Sequence, residues 1–291
     1  MTDEHLRPIA PSLMHYQKQY FEHFDYRSIL MQNVVTGGAM MINRALADLE
    51  HTIRSILDQT FQDFELICLD DGSTDNTLSV LREYEKHYNN ICVVANSNHG
   101  QGWERNYGMR IARGKYVYYM DSDDVMGHNC LERIYSCAEI NRLDMLFFEG
   151  TTFFDSPELE DRFSQYKTAY DRKEAFPLVY TGEELYIKFR KSGGTIVSPC
   201  MQLARRQFLQ EYRVTFPEIS MLEDNLYTFD SLRYAKRVKC IPDALYNRRI
   251  RAGSTMTENR KIEEMRCLSV IIKKCCKQSL STKRIHLCFM P

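Results

Sequence analysis

The sequence predicts an α/β fold, a mostly parallel sheet flanked by helices. Two observations carry that expectation. From residue 51 onward short apolar runs alternate with helix-patterned stretches, and two of those runs end on carboxylates. Sheets of this kind bind ligands outside the carboxyl ends of their strands, so acid at two such ends marks a candidate site.

The elements follow in order. HTIRSILDQ (51–59) sets Ile53, Ile56 and Leu57 at helical spacing, and ELICLD (65–70) reads as a strand ending on acid. TLSVLREYEKHY (77–88) repeats the helical period, with Ser73 or Asp75 as candidate caps. ICVVA (91–95) reads as a buried strand, GWERNYGMRIA (102–112) as a helix stopped by Gly114, and KYVYYM (115–120) as a strand. Beyond it the pattern loosens, and 153–180 reads as a loop or short-strand excursion. TGEELYIKFRKSG (181–193) opens with Thr181 and Glu184 at capping-box spacing. LEDNLYTFDSLRYAKR (222–237) is a helix with acid in its first turn, where the helix dipole favours it. VKCIPDALYNRRIR (238–251) reads as strand, turn, strand, and 259–277 as a C-terminal helix.

The bulk numbers exclude several classes. With 38 basic and 39 acidic residues the net charge is −1, which gives nucleic acid no electrostatic handle. Apolar runs such as LSVII (268–272) are too short to span a bilayer, and the first residues lack the basic and apolar regions of a secretory signal. The expectation is a cytoplasmic protein whose contact with a membrane would be peripheral, at its inner face. Ten cysteines without any CxxC spacing read as free thiols rather than a zinc site.

The sharpest feature is YMDSDDVM (119–126), where an apolar strand breaks into Asp121, Asp123 and Asp124. Carboxylates so close must be solvated or neutralised, and hard cations such as Mg²⁺ or Mn²⁺ prefer their oxygens. The second acidic strand end is Asp70-Asp71.

FELICLDDGSTDNT (64–77), NHGQGWERNYGMRIARGKYVYYMDSDD (98–124) and MLEDNLYTFDSLRYAKRVKCIPDALYNRRIRAGST (221–255) resemble, in order, motifs of the family 2 glycosyltransferases. That resemblance implies a GT-A fold, with a Rossmann-like nucleotide-binding half and an acceptor half. It implies an inverting transfer from a nucleotide-sugar, a UDP-sugar first of all, to a hydroxyl of a glycan or lipid-linked acceptor in polysaccharide or cell-envelope synthesis. It places Mn²⁺ or Mg²⁺ on Asp123, with Asp121 nearer the ribose. Asp70 and Asp71 fall at the donor site, Asp71 on the uracil, with Arg105 near the nucleotide. Asp224 matches the general base with Glu223 orienting it, and Arg251 and Ser254 match contacts to the pyrophosphate. A nucleotidyltransferase, which can share this topology, would need a lysine in its glycine-rich loop, and TGGAMMINR (36–44) has none.

The chain departs from the family at its start. The expected first strand and its Pro-x-Tyr-Asn-like turn are missing before residue 51, where NVVTGGAMMINRALADLE (33–50) stands instead. Residues 26–49 resemble a displaced segment from the second half of a related enzyme, with Val34-Val35-Thr36 aligning on Ile196-Val197-Ser198 and Arg44 on Arg206. The expected division is therefore an atypical segment 1–50, a glycosyltransferase domain 51–256 and a helical tail 257–291. Either 34–42 substitutes for the first strand beside 65–69, or the gap leaves an impaired remnant that binds nucleotide weakly or not at all.

Overall fold

The structure, a computed structural model, describes the backbone of residues 29–33 and 39–46, and residues 47–172, 174–252 and 266–267 in full. Strand β1 (Ile29–Asn33) leads into helix α1 (Ala39–Leu57). Then follow β2 (Leu66–Asp71), α2 (Thr77–His87), β3 (Ile91–Asn96), α3 (Gln101–Ile111), β4 (Tyr116–Asp121) and the short β5 (Val125–Met126). The second half contains α4 (Cys130–Asn141), β6 (Met145–Phe154), α5 (Pro157–Arg162), α6 (Gly182–Ser192), β7 (Gln202–Arg205), α7 (Arg206–Glu211), α8 (Glu223–Tyr234) and β8 (Val238–Ile250).

These strands form one eight-stranded sheet in the order β3-β2-β1-β4-β7-β6-β8-β5. The β3-β2-β1-β4 block and the β6-β8 pair are parallel, whereas β7 runs antiparallel to β4 and β6, and β5 to β8. The sheet is thus mixed, with its β3-β2-β1-β4 half parallel as expected.

Two cores cover its faces, and the strand period of two decides which residue enters which. Leu66, Cys68, Tyr118, Leu146 and Phe148 pack with Leu49, Ile53 and Ile56 of α1, Leu81 of α2 and Ile134 of α4. Ile67, Leu69, Val117, Tyr119, Met145 and Phe147 pack on the other face, with Met109 of α3, Leu185 and Phe189 of α6, Phe208 of α7 and Leu232 of α8. The near-continuous apolar runs in β2 and β4 are what burial on both faces demands.

The missing strand is present. Residues Ile29–Asn33 lie in the middle of the parallel block, Ile29 opposite Leu66 and Tyr118, Gln32 opposite Leu69 and Asp121. The substitution expected of 34–42 is made by the five residues before them: 39–42 begin α1, and 34–38 lie outside the described residues. ILMQN carries a single β-branched residue, so its own strand propensity is weak, and its two partner strands decide its conformation. Helix α1 runs through residue 50 without a break, so no structural boundary falls there.

Two further readings change. Residues 238–250 form one strand rather than two, and the Pro242 region is absorbed as an irregularity between the Cys240 and Ala244 pairings with β6. Proline cannot donate to a ladder, so the strand bulges there instead of ending. Strand β6 extends to Phe154, into the stretch read as a loop or short-strand excursion, and Ser156 then caps α5 by accepting from the Leu159 N–H. The capping box at Thr181 and Glu184 is formed as read. Of the C-terminal helix, Arg266 and Cys267 are helical and the rest lies outside the described residues.

Candidate active site

The site forms where β2 and β4 end and α8 begins. Each carboxylate of the DSDD run meets a different partner brought from far along the chain. Asp121 Oδ1 accepts from Arg105 Nη2 (3.1 Å), and Asp123 Oδ2 accepts from Arg251 Nε (2.7 Å). Asp124, 1% exposed, accepts from the Tyr246 hydroxyl and from the Arg249 backbone N–H (2.7 Å). Burial, with Asp123 beside it, holds the Asp124 carboxyl well above the usual range. Asp124 therefore acts as an internal anchor for β8, while Asp121 and Asp123 are each about a quarter exposed.

At the end of β2, both Asp70 and Asp71 are buried. Asp71 accepts from the backbone N–H groups of His99 (2.6 Å) and Gly100 (2.9 Å), which fixes the turn into α3. That turn needs glycine at 100, whose φ is +87°, and the chain reverses after β2 through Gly72 at φ +79°. Asp70 Oδ1 has no hydrogen-bond partner among the described residues. Behind them lies Glu104, fully buried and bonded to Asn96 Nδ2 (2.9 and 3.1 Å). Burial, with Asp71 and Asp70 nearby, pushes the Glu104 carboxyl up to about 7.

On the opposite side, α8 presents Glu223 and Asp224 from its first turn. Glu223 is 5% exposed and its Oε1 accepts from Arg105 Nη1 (2.8 Å). Asp224 is half-buried. Burial, with the Glu223 charge alongside, pushes its carboxyl up to about 7, against the pull of Arg105. The acidic first turn thus does more than complement a helix dipole. Arg105, 4% exposed, joins both ends of the site.

Among the sequence-predicted residues, Asp121, Arg105 and Glu223 are linked directly, with Asp224 adjoining, and Asp123 joins Arg251. Asp70 and Asp71 sit at the neighbouring strand end, and Ser254 lies outside the described residues. The sequence reading missed Glu104, although it stands beside Arg105 in ERNYG, because a helical period alone does not separate a buried acid from a solvated one. It also missed the Arg249 knot, in which Nη1 reaches Asp48 (2.6 Å) and Asp155 (3.3 Å). No local signal announces that contact, since its members come from three separate segments. Arg248 stacks on Tyr170 (5.6 Å) and has no carboxylate within ion-pair distance among the described residues.

No group of three or more metal-ligating side chains occurs among the described residues. The donor set nevertheless suits a hard cation of the magnesium type, which takes one or two carboxylates and completes its shell with phosphate and water. Asp121 and Asp123 supply that number, and the ion pairs described here occupy one oxygen of each.

The comparisons agree on a family. Residues 40–213 match the profile described as Glycosyl transferase family 2. The poly(ribitol-phosphate) beta-glucosyltransferase of Bacillus spizizenii is 28% identical over 197 residues, 66% of this chain and 28% of that protein. The uncharacterized glycosyltransferase EpsJ of Bacillus subtilis is 30% identical over 207 residues, 68% of this chain and 56% of its own length. In both cases the chain covers well under two thirds of the relative. Among solved structures, S. aureus TarS 1-349 in complex with UDP-GlcNAc superposes with a TM-score of 0.65 at 22% identity, covering 85% of this chain and 66% of TarS 1-349. No helix among the described residues is long and apolar enough to cross a membrane. The match over 40–213 spans more than half of the 291 residues, and the chain belongs to glycosyl transferase family 2.

Proposed function

We propose that the protein moves a sugar from a UDP-sugar to a hydroxyl of a glycan or lipid-linked acceptor in one inverting displacement. The observation that carries this reading is Asp224, a partly accessible carboxyl pushed up to about 7 and set across the site from the acidic strand ends. A base with that affinity for protons is half ionised at neutral pH, which is where general-base catalysis works best. Asp224 takes the proton as the acceptor oxygen attacks the anomeric carbon, and the bond to the nucleotide breaks with its electrons leaving on the diphosphate. Inversion needs no protein nucleophile.

The chain's own groups divide the remaining tasks. Asp71 meets the uracil, with Asp70 beside it at the donor site, Asp121 meets the ribose, and Arg251 with Ser254 the diphosphate. Arg248, a half-buried cation in the field of Asp124 and Asp121, adds positive charge on the β8 side of the site. Mg²⁺ or Mn²⁺ held by Asp123 would supply charge stabilisation to the departing diphosphate. Arg251, paired with Asp123 in this structure, would then be the cation available to the phosphate oxygens.

The name of the poly(ribitol-phosphate) beta-glucosyltransferase supports a polymer as acceptor, and TarS with UDP-GlcNAc supports the uridine donor. Peripheral contact with a membrane fits a lipid-linked acceptor. β1 fills the strand position whose vacancy motivated the impaired-remnant reading, and this favours the active enzyme over it. Calorimetric titration of UDP, with and without Mn²⁺, tests the reading against Asp123→Ala. Metal-dependent binding that the substitution abolishes is expected. A folded protein that binds no UDP in either condition would end the uridine-donor assignment.

A further inference from the structure

Helix α3 turns one face to a single task, holding the segment that leads into α8. The Asn106 amide donates to the Phe216 carbonyl (2.9 Å) and accepts from the Phe216 N–H (2.9 Å), as a neighbouring strand would. At Gly102 the helix backbone approaches so closely that a Cβ would lie 2.5 Å from the Pro217 carbonyl oxygen. The Arg105 guanidinium packs over Phe216 at 5.1 Å, and Phe216 stacks on Tyr227 of α8 at 4.0 Å. Gln101, its amide turned to suit its neighbours, donates to Glu223 (3.1 Å) and accepts from Arg105.

The segment so held ends at Leu222, which has φ +64°. A bulky residue in the left-handed region is strained, and it persists only where the surroundings over-determine it. Glu223 and Asp224 follow immediately. Both terminal nitrogens of Arg105 are engaged by carboxylates of this chain, Glu223 (2.8 Å) and Asp121 (3.1 Å).

We propose that Arg105 is a positioning residue for the general base: it ties the first turn of α8 to the donor-side carboxylate Asp121 and so sets where Asp224 sits. This rests on the reading of Asp224 as base. The charged groups facing Asp224 are Glu223 on its own helix, Arg105 from α3 and Arg248 from β8. Losing the Arg105 cation therefore raises the Asp224 midpoint, and losing the Glu223 charge lowers it. Lysine restores charge but cannot reach two carboxylates as a planar fork does.

The test uses the whole chain with ¹³C-labelled aspartate, the Asp224 resonance being assigned by its loss in Asp224→Asn. Carboxyl titrations are compared for Arg105→Met, Arg105→Lys and Glu223→Gln, alongside UDP affinity by calorimetry. Expected are an upward shift of at least about half a pH unit in Arg105→Met and a downward shift in Glu223→Gln, with less than a tenfold loss of UDP affinity in Arg105→Lys. If Arg105→Met does not fold, Arg105→Lys and Glu223→Gln still decide. A tenfold or greater loss of UDP affinity in Arg105→Lys with an unmoved Asp224 midpoint would overturn the proposal and make Arg105 a nucleotide contact. Unimpaired turnover by Asp224→Asn would instead remove the base reading, whereas opposite shifts in the two variants would still support the tie.

Discussion

The two halves of the molecule hold their acids in different ways. In the donor half, Asp71 at the end of β2 is fixed by backbone N–H groups of the next βα turn but one, and the parallel strands lie one beside another under their own helices. In the base half, Glu223 is fixed by Arg105 from a helix more than a hundred residues earlier, and the strained Leu222 precedes it. Backbone donors in a short turn come with the fold. A side-chain tether across the sheet must be specified residue by residue. On the proposed reading, the half with Asp71 is scaffold that tolerates a new source for its first strand, and the half with Asp224 is where single substitutions are expected to change chemistry.

The largest expected effect tests the first half of that contrast. Met31→Pro removes an N–H from a strand paired on both sides, a loss of about 3 kcal/mol or more, enough to unfold a marginal domain. Thermal unfolding checks it, and a wild-type melting curve would show that β1 is dispensable. In the base half, Asp224→Asn is expected to lower turnover by about 10²–10⁴-fold with UDP affinity kept, read by steady-state kinetics and calorimetry.

Gly182→Ala sharpens the contrast from the packing side. Its Cβ would fall 1.8 Å from the Leu232 carbonyl oxygen, so α6 and α8 must part, at roughly 3 kcal/mol on the melting curve. Asp224→Asn should also stabilise the fold at alkaline pH. The unfolded carboxyl ionises near 3.8 and the folded one near 7, so wild-type stability falls as pH rises between those values. The variant lacks that loss, and is expected to gain roughly 1–3 kcal/mol at pH 8 and nothing at pH 4 in denaturant titrations. The smallest effect is Thr181→Ala, which removes the capping box of α6 for about 1 kcal/mol.

Much of the donor half was legible because its rules are local. Continuous apolar runs in β2 and β4, helix periods and acidic strand ends all lie within a few residues of one another. The DSDD run was legible as chemistry, but its neutralising partners were not: Arg105, Arg251, Tyr246 and Arg249 reach it through topology. Strand β1 was hidden because ILMQN is weakly patterned and its neighbours decide its state. The Pro242 bulge was misread because proline ends an isolated strand pattern, whereas a long partner strand can carry the chain past it. Asp224 stood out through resemblance, and its raised proton affinity needed the enclosed surroundings that the fold supplies.

The most direct measurement is the pH dependence of turnover, from about pH 5 to 9, for the wild type and Asp224→Asn with the UDP-sugar that binds best. The account predicts a wild-type rate that rises through about pH 7, where Asp224 loses its proton, and a variant at least a hundredfold slower without that limb. Equal rates with the same limb in both would contradict it, and the base would have to be sought elsewhere in the cleft.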